Sequence, residues 1–301
     1  MDGITAVEDI IKRVDIWDHN EVRYRQLSGG MTNHSYICHV RDKKYVLRIP
    51  GSGTDVFINR AHELSCAIAA AKAGASPDVL CVVAPEGAVV TPFIDGEVLH
   101  ADTVVADDNR IAKIVAAVQQ VHAKAVFEPV THTFDLIRRY TQTARDVDAF
   151  FPYDFDWMCA IADKIEQAME RNNPPAVACH NDLFPENFII DANGKLWILD
   201  WEYGGMNDPY FDLGDLAVEH PLTRKQEELV IQTYCGEVQP HRLYRILLHK
   251  LTADLRWSLW AMIQDRISKI DFDFYTYGLG RYARFRANYY HREFKTWLEG
   301  V

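Results

Sequence analysis

The amino-acid sequence predicts an α+β chain folded as two unequal lobes: a small β-rich one over residues 1–95 and a larger, mainly helical one over residues 96–301. Three observations carry this. At 301 residues the chain exceeds what a single hydrophobic core usually serves. Up to Ile94 the apolar residues come in short alternating runs broken by glycines, the pattern of half-buried strands. From Ala101 onward they recur every three to four positions, as at Ile111, Ile114, Val115, Val118 and Val121, the stripe of a helix packed on one side. Hydrophobic residues at 48% and charged residues at 25% fit a globular domain. The net charge of −11 argues against a nucleic-acid partner and suits a cationic small substrate.

Taken in order, Asp9 to Trp17 reads as a short amphipathic helix. Val22–Leu27, Tyr36–Val40 and Lys44–Pro50 read as strands, the last placing Tyr45, Leu47 and Ile49 on one face and Val46 and Arg48 on the other. Asn59–Ala73 is a helix carrying Glu63, and Val89–Ile94 is an apolar strand ended by Asp95-Gly96, suited to a hinge. Helices follow over 134–149 and 157–171, with Pro152 between them and Asn172-Asn173-Pro174-Pro175 as the stop. His122 closes the preceding helix and reads as a structural histidine. Asp208-Pro209 starts another helix, with Asp212 in its first turn, placed to accept hydrogen bonds from loop N–H groups. Between Trp257 and Trp297 lie twelve aromatic residues in 41 positions, and Tyr282, Phe285 and Tyr289 among them form a core stripe. Six scattered cysteines without a C-x-x-C pair fit reduced thiols. A charged N-terminus and the lack of a long apolar run point to a cytoplasmic protein with no membrane partner. A homodimer stands as the candidate assembly.

The chemistry concentrates between Cys179 and Glu202. Asp182 lies within His180-Asn181-Asp182, Asn187 follows five positions later, and Asp200 thirteen positions after that. This is the grammar of a kinase catalytic loop, His-x-Asp followed by four residues and Asn, with Asp200-Trp201-Glu202 where a protein kinase has D-F-G. The fold class is therefore a bilobal, protein-kinase-like α+β architecture. Phe188–Ile190 and Leu196–Leu199 read as strands joined by Asp191-Ala192-Asn193-Gly194, a hairpin signal that brings Asn187 beside Asp200. An amide oxygen and a carboxylate converging there suit Mg2+, with phosphate oxygens completing the shell. Ser28, Gly29 and Gly30, in a turn that runs on to Asn33, let backbone N–H groups approach the phosphates of ATP. Arg48 occupies the strand position where a kinase keeps its phosphate-binding lysine, and Glu63 is placed to pair with it. Trp257 and Trp260, one helical turn apart, suit cation–π recognition of a quaternary ammonium or, equally, plain core packing. Gly278-Leu279-Gly280-Arg281-Tyr282-Ala283 matches a dinucleotide fingerprint, but too little chain follows to build the βαβ unit that it requires.

Set side by side, LSGGMTNHSY, YVLRIPG, CHNDLFPENF, LDWEYGGMNDPYFDLGD, AVEH and RWSLWAMIQ resemble the choline/ethanolamine kinase family, nearest its bacterial LicA-type members, within the aminoglycoside-phosphotransferase-like kinases. The resemblance spans Leu27 to Gln264. It implies transfer of the ATP γ-phosphate to the hydroxyl of an amino alcohol, with choline ahead of ethanolamine, thiamine or an aminoglycoside; a nucleotide-binding protein without transferase activity is the reading from another class. By position it implies Asp182 as catalytic base, Asn187 and Asp200 on magnesium, and Glu202 as a metal-side acid. It also implies Ser28, Asn33 and Arg48 as nucleotide contacts, and Tyr203, Glu219, Trp257 and Trp260 as the choline pocket. The tail FDFYTYGLGRY departs from the family pattern, leaving Tyr275 and Tyr277 as alternatives for a pocket tyrosine.

Overall fold

Alternation of apolar and polar residues gives the first half of the chain its sheet. The computed structural model describes residues 7–17, 21–27, 33–51 and 57–301. In it, β1 (Val22–Gln26), β2 (Asn33–Val40), β3 (Lys43–Pro50), β4 (Cys81–Val83) and β5 (Ala88–Pro92) form one antiparallel sheet in the order β1-β2-β3-β5-β4. The predicted N-terminal helix contracts to α1 (Val7–Ile11), with turns continuing to Trp17. Ile10, Ile11, Val14 and Trp17 from this segment bury against Cys38, Leu47, Val83 and Val90 of the sheet. On β3, Tyr45, Leu47 and Ile49 join that cluster. Arg48 on the opposite face is directed at carboxylates.

α2 (Arg60–Lys72) starts where Asn59 caps it, the Asn side chain accepting from the N–H groups of Ala61 and His62. Its small residues Cys66 and Ala70 belong to the second, larger core, built from the helices that follow. Those are α3 (Ala101–Val105), α4 (Asp108–Lys124), α5 (Thr133–Asp146), α6 (Phe155–Glu170), α7 (Pro209–Glu219), α8 (Arg224–Cys235), α9 (Pro240–Ile267), α10 (Phe274–Tyr289) and α11 (Phe294–Gly300).

α9 is the spine. Its 28 residues span about 42 Å at the α-helical rise, and nearly every side chain from Arg245 to Gln264 is buried, as in a helix enclosed on all sides. α5, α7, α8, α10 and α11 pack around it. The approach of α7 depends on Gly214, where a Cβ would stand 2.6 Å from the Cβ of His249.

Two small sheets carry the loops that matter. β6 (Gly96–Val98) pairs with β8 (Phe188–Asp191), which pairs with β9 (Leu196–Ile198); β7 (Val177–Cys179) pairs with β10 (Gly205–Asn207). In Asp95-Gly96, expected to end a strand at a hinge, Gly96 is itself the first residue of β6 and pairs with Asp191. The hairpin turn also differs from a two-residue type I′ turn, which needs positive φ at both central residues. Only Gly194, at φ +78, is left-handed there, and the Asp191 carboxylate accepts from the N–H groups of Asn193 and Lys195. All six cysteines are free thiols. Among the described residues no helix is long and apolar enough to cross a membrane.

Candidate active site

The loop between β7 and β8 is held from three sides. Asp212, 1% exposed in the first turn of α7, accepts from the backbone N–H groups of His180 (2.8 Å) and Asn181 (2.7 Å). Its remaining partner is His122 Nε2 at 3.0 Å, and His122 Nδ1 meets the Tyr234 hydroxyl. The structural role read for His122 is thus to hold the acid that holds the loop. Burial works against ionisation of Asp212, yet the His122 contact and the two N–H donors keep its carboxyl below the ordinary range. Asn181 sits in the left-handed region at φ +66, as Asn tolerates, and its amide bridges the Tyr203 carbonyl and Asn207. Arg256 of α9, 1% exposed, donates to the Asn181 carbonyl at 2.6 Å. His180 reaches the Leu199 carbonyl, and Leu199 N–H donates to the Asn187 carbonyl, so loop and hairpin end are tied together.

Replacing Asp212 by Ala leaves two buried N–H groups without an acceptor and His122 without its acid. We expect a loss of about 3–5 kcal/mol in urea unfolding near pH 7, the cost of breaking a buried pair. Because the folded carboxyl is depressed, its contribution is fully present above the unfolded pKa and is lost as pH falls through the folded one. The gap between parent and variant therefore narrows below about pH 4.

Asp182 is half-buried at the loop apex. Burial, followed by the charges of Asp215, Glu219 and Glu202, holds its carboxyl well above the ordinary range, with Arg256 opposing. Asn187 donates its amide N–H to the Asp182 carbonyl (3.0 Å), which leaves the amide oxygen as an open acceptor. Asp200, left-handed at φ +62, accepts from Arg48 at 2.6 Å. Arg48 also donates to Glu63, which pairs with Arg60 at 2.7 Å. Although burial opposes it, Asp200, Glu63 and Glu202 hold the Arg48 guanidinium firmly charged. Carboxylate oxygens of Glu63, Asp200 and Glu202 lie within 4.8 Å of one another. The acid cluster is therefore wider than the predicted set of Asn187, Asp200 and Glu202, since Glu63 serves both it and Arg48. Asn33 reaches Glu202 at 3.4 Å. Ser28, Gly29 and Gly30 lie outside the described residues.

Next to the loop stands a wall of rings. Tyr203 meets Trp257 edge-on at 5.2 Å, Trp257 meets Trp260 at 5.9 Å, and Trp260 meets Phe274 at 5.6 Å and Tyr277 at 6.4 Å. Of the two candidate tyrosines, only Tyr277 joins this wall. Tyr275 is exposed and packs against Phe150 at 5.2 Å, outside the ring cluster. Glu219 is already committed, because Arg281 grips both of its oxygens at 2.6 and 2.8 Å while lying over the Tyr277 ring. Likewise Arg256 lies 4.5 Å from the Trp257 ring centre.

Sequence reasoning missed Arg256, Arg281 and Asp215. Asp215, with no exposed surface, accepts from Leu183 N–H at 2.7 Å and from Trp257 Nε1–H at 2.9 Å. A signal was available: Asp212, Asp215 and Glu219 recur at helical spacing within an otherwise apolar helix, and acids buried together on one face need partners.

A pinned loop presenting one carboxylate, a hairpin bearing an amide and an acid, and a charged arginine from a facing sheet are the parts of a phosphotransferase with the protein-kinase-like fold. The chain belongs to the choline/ethanolamine kinase family, whose sequence model matches residues 24–286. A choline/ethanolamine kinase family protein from Mesorhizobium loti is 34% identical, with a TM-score of 0.82 over 92% of each chain. The choline kinase LicA from Streptococcus pneumoniae is 27% identical, with a TM-score of 0.77 over 89% of this chain and 93% of its own. Ethanolamine kinase 2 of Mus musculus is 23% identical over 297 residues, 89% of this chain and 77% of its own. The aminoglycoside 2′-phosphotransferase IIIa shares the fold alone, with a TM-score of 0.67 at 18% identity.

Proposed function

We propose that the chain transfers the γ-phosphate of ATP to the hydroxyl of choline. The single observation that carries the choice of acceptor is the wall formed by Tyr203, Trp257, Trp260 and Tyr277 beside the half-buried Asp182. A trimethylammonium group donates no hydrogen bond, so rings and nearby negative charge suffice to hold it, at about 2 kcal/mol per desolvated cation–π contact. With the cation in place, its charge offsets the acids around Asp182 and favours the ionised base. Asp182 then accepts the proton of the acceptor hydroxyl. Arg48 and Asn33 line the nucleotide side, and Glu63 fixes the angle of Arg48. The donor set of Asn187, Asp200 and Glu202 is all oxygen and suits Mg2+, which when bound neutralises phosphate charge.

ATP consumption across a panel of choline, ethanolamine, thiamine and aminoglycosides tests this. Ethanolamine's ammonium leaves donors unpaired against rings, at about 1–3 kcal/mol for each. We expect kcat/KM for choline to exceed that for ethanolamine by at least about tenfold. Trp257→Ala and Trp260→Ala should each erode this preference, mainly through KM. Ethanolamine turning over as well as choline, or a double alanine variant with an unchanged choline KM, would return these rings to a purely structural role.

A further inference from the structure

We propose that Asp215 is a positioning residue, whose carboxylate holds the acceptor wall and the catalytic loop in register by accepting one hydrogen bond from each. The proposal deepens, and rests on, the acceptor-site reading given above. Its basis is geometric. Asp215 Oδ2 accepts from the backbone N–H of Leu183, the residue after the proposed base, and Oδ1 accepts from the indole N–H of Trp257, the central ring of the wall. The two donors come from segments 74 positions apart in sequence, and one fully buried carboxylate spans them. Both bonds are charge-assisted in a dry environment, so both weaken when the carboxylate is protonated.

The surroundings make that protonation reachable. Burial, and then Glu219 on the same helix, push the Asp215 carboxyl up to about 7; the bonds from Trp257 and Leu183 and the charge of Arg256 oppose them. Asp182 of the catalytic loop faces it as a further acid, while Arg281 of α10 acts on it through Glu219. A cationic acceptor arriving between ring wall and loop, close to Asp215 and Glu219, favours the ionised form of Asp215. A merely structural carboxylate would hold the fold without making acceptor use depend on its own charge.

The test is the pH dependence of kcat/KM for choline in the parent, Asp215→Asn and Trp257→Phe, with the KM of ATP measured alongside. In the parent, protonation of Asp215 weakens both of its bonds and so adds its own titration to the acid limb of log kcat/KM, steepening it. Asp215→Asn should remove that contribution and leave a shallower limb. It should also lower kcat/KM for choline by about tenfold or more near pH 8, leaving the KM of ATP within about twofold. Trp257→Phe keeps a ring but removes the indole N–H, so its upper apparent pKa should rise; this variant carries the test if Asp215→Asn does not fold. An unchanged slope in Asp215→Asn, an equal loss in ATP KM, or an unmoved limb in Trp257→Phe overturns the proposal. If Trp257→Ala and Trp260→Ala raise the choline KM while these pH profiles stay put, Asp215 alone is misread. If those alanine variants leave the choline KM unchanged, the acceptor-site reading itself fails.

Discussion

Asp182→Asn should lower kcat by about 10²–10⁴, the usual contribution of a positioned general base, while ATP affinity stays within about twofold. The substitution is nearly isosteric, and the loop around it is held by Asp212, Asp215 and Arg256 through backbone groups rather than through the Asp182 side chain. Fold and nucleotide site should therefore survive, as a thermal melt would show. The pH profile adds a second check. The Asp182 carboxyl is held up by burial and by three acids, so in the free enzyme activity is lost as pH falls through a raised pKa. Binding of a cation and a metal offsets those acids, so the limb of kcat should lie at lower pH than that of kcat/KM. Turnover falling less than tenfold in a folded variant would remove Asp182 from the base role.

Removing the Asp200 carboxylate should abolish metal-dependent nucleotide binding. In the parent, ATP with magnesium at about 100 times Kd should stabilise the fold by about 2.7 kcal/mol, read as a rise in Tm that should vanish without the metal. In Asp200→Ala that rise should disappear, with turnover down about 10³-fold or more. Alanine at φ +62 also introduces backbone strain of about 1–2 kcal/mol. Asp200→Asn, which tolerates that conformation, separates strain from chemistry and should lose the same metal response. Magnesium titration with unchanged affinity in both variants would move the metal elsewhere in the Glu63, Asp200 and Glu202 cluster.

What could be read in the sequence was what is local. The β1 and β3 strands, the helix entered at Asn59 and the hairpin after Asn187 each carry their signal within a few residues and lie within a residue of the expected bounds, whereas β2 starts at Asn33, three residues before the strand read from Tyr36. β4, β6 and β10 are three residues long, too short to show a period, and exist because a neighbouring strand pairs with them. α8 carries a local signal as well, in the Thr223–Gln226 capping box and the Gly236 that ends it in the left-handed region. The same divide runs through the candidate site. Asp182, Asn187 and Asp200 are spaced by one loop and one hairpin. The pairings of Trp257 with Asp215, Arg281 with Glu219 and Arg256 with Asn181 join residues 42, 62 and 75 positions apart, beyond the reach of any periodicity. The second of these also changes the electrostatics expected of Glu219, whose charge already has an internal partner.

The dependence of the catalytic loop on α7 and α9 has a consequence for how the protein is made. Every residue of the signature between Cys179 and Glu202 leaves the ribosome before the α7 and α9 groups that hold its loop. Asp212 and Asp215 follow within a short helix, but Arg256, which secures the Asn181 carbonyl, and Trp257, which meets Asp215, come only near the far end of α9. A nascent or prematurely terminated chain ending at Gln239 would carry the full motif yet lack the spine against which its loop is set. The signature is thus complete before the helix that sets its loop, and its presence in a shortened reading frame is no guide to a working protein.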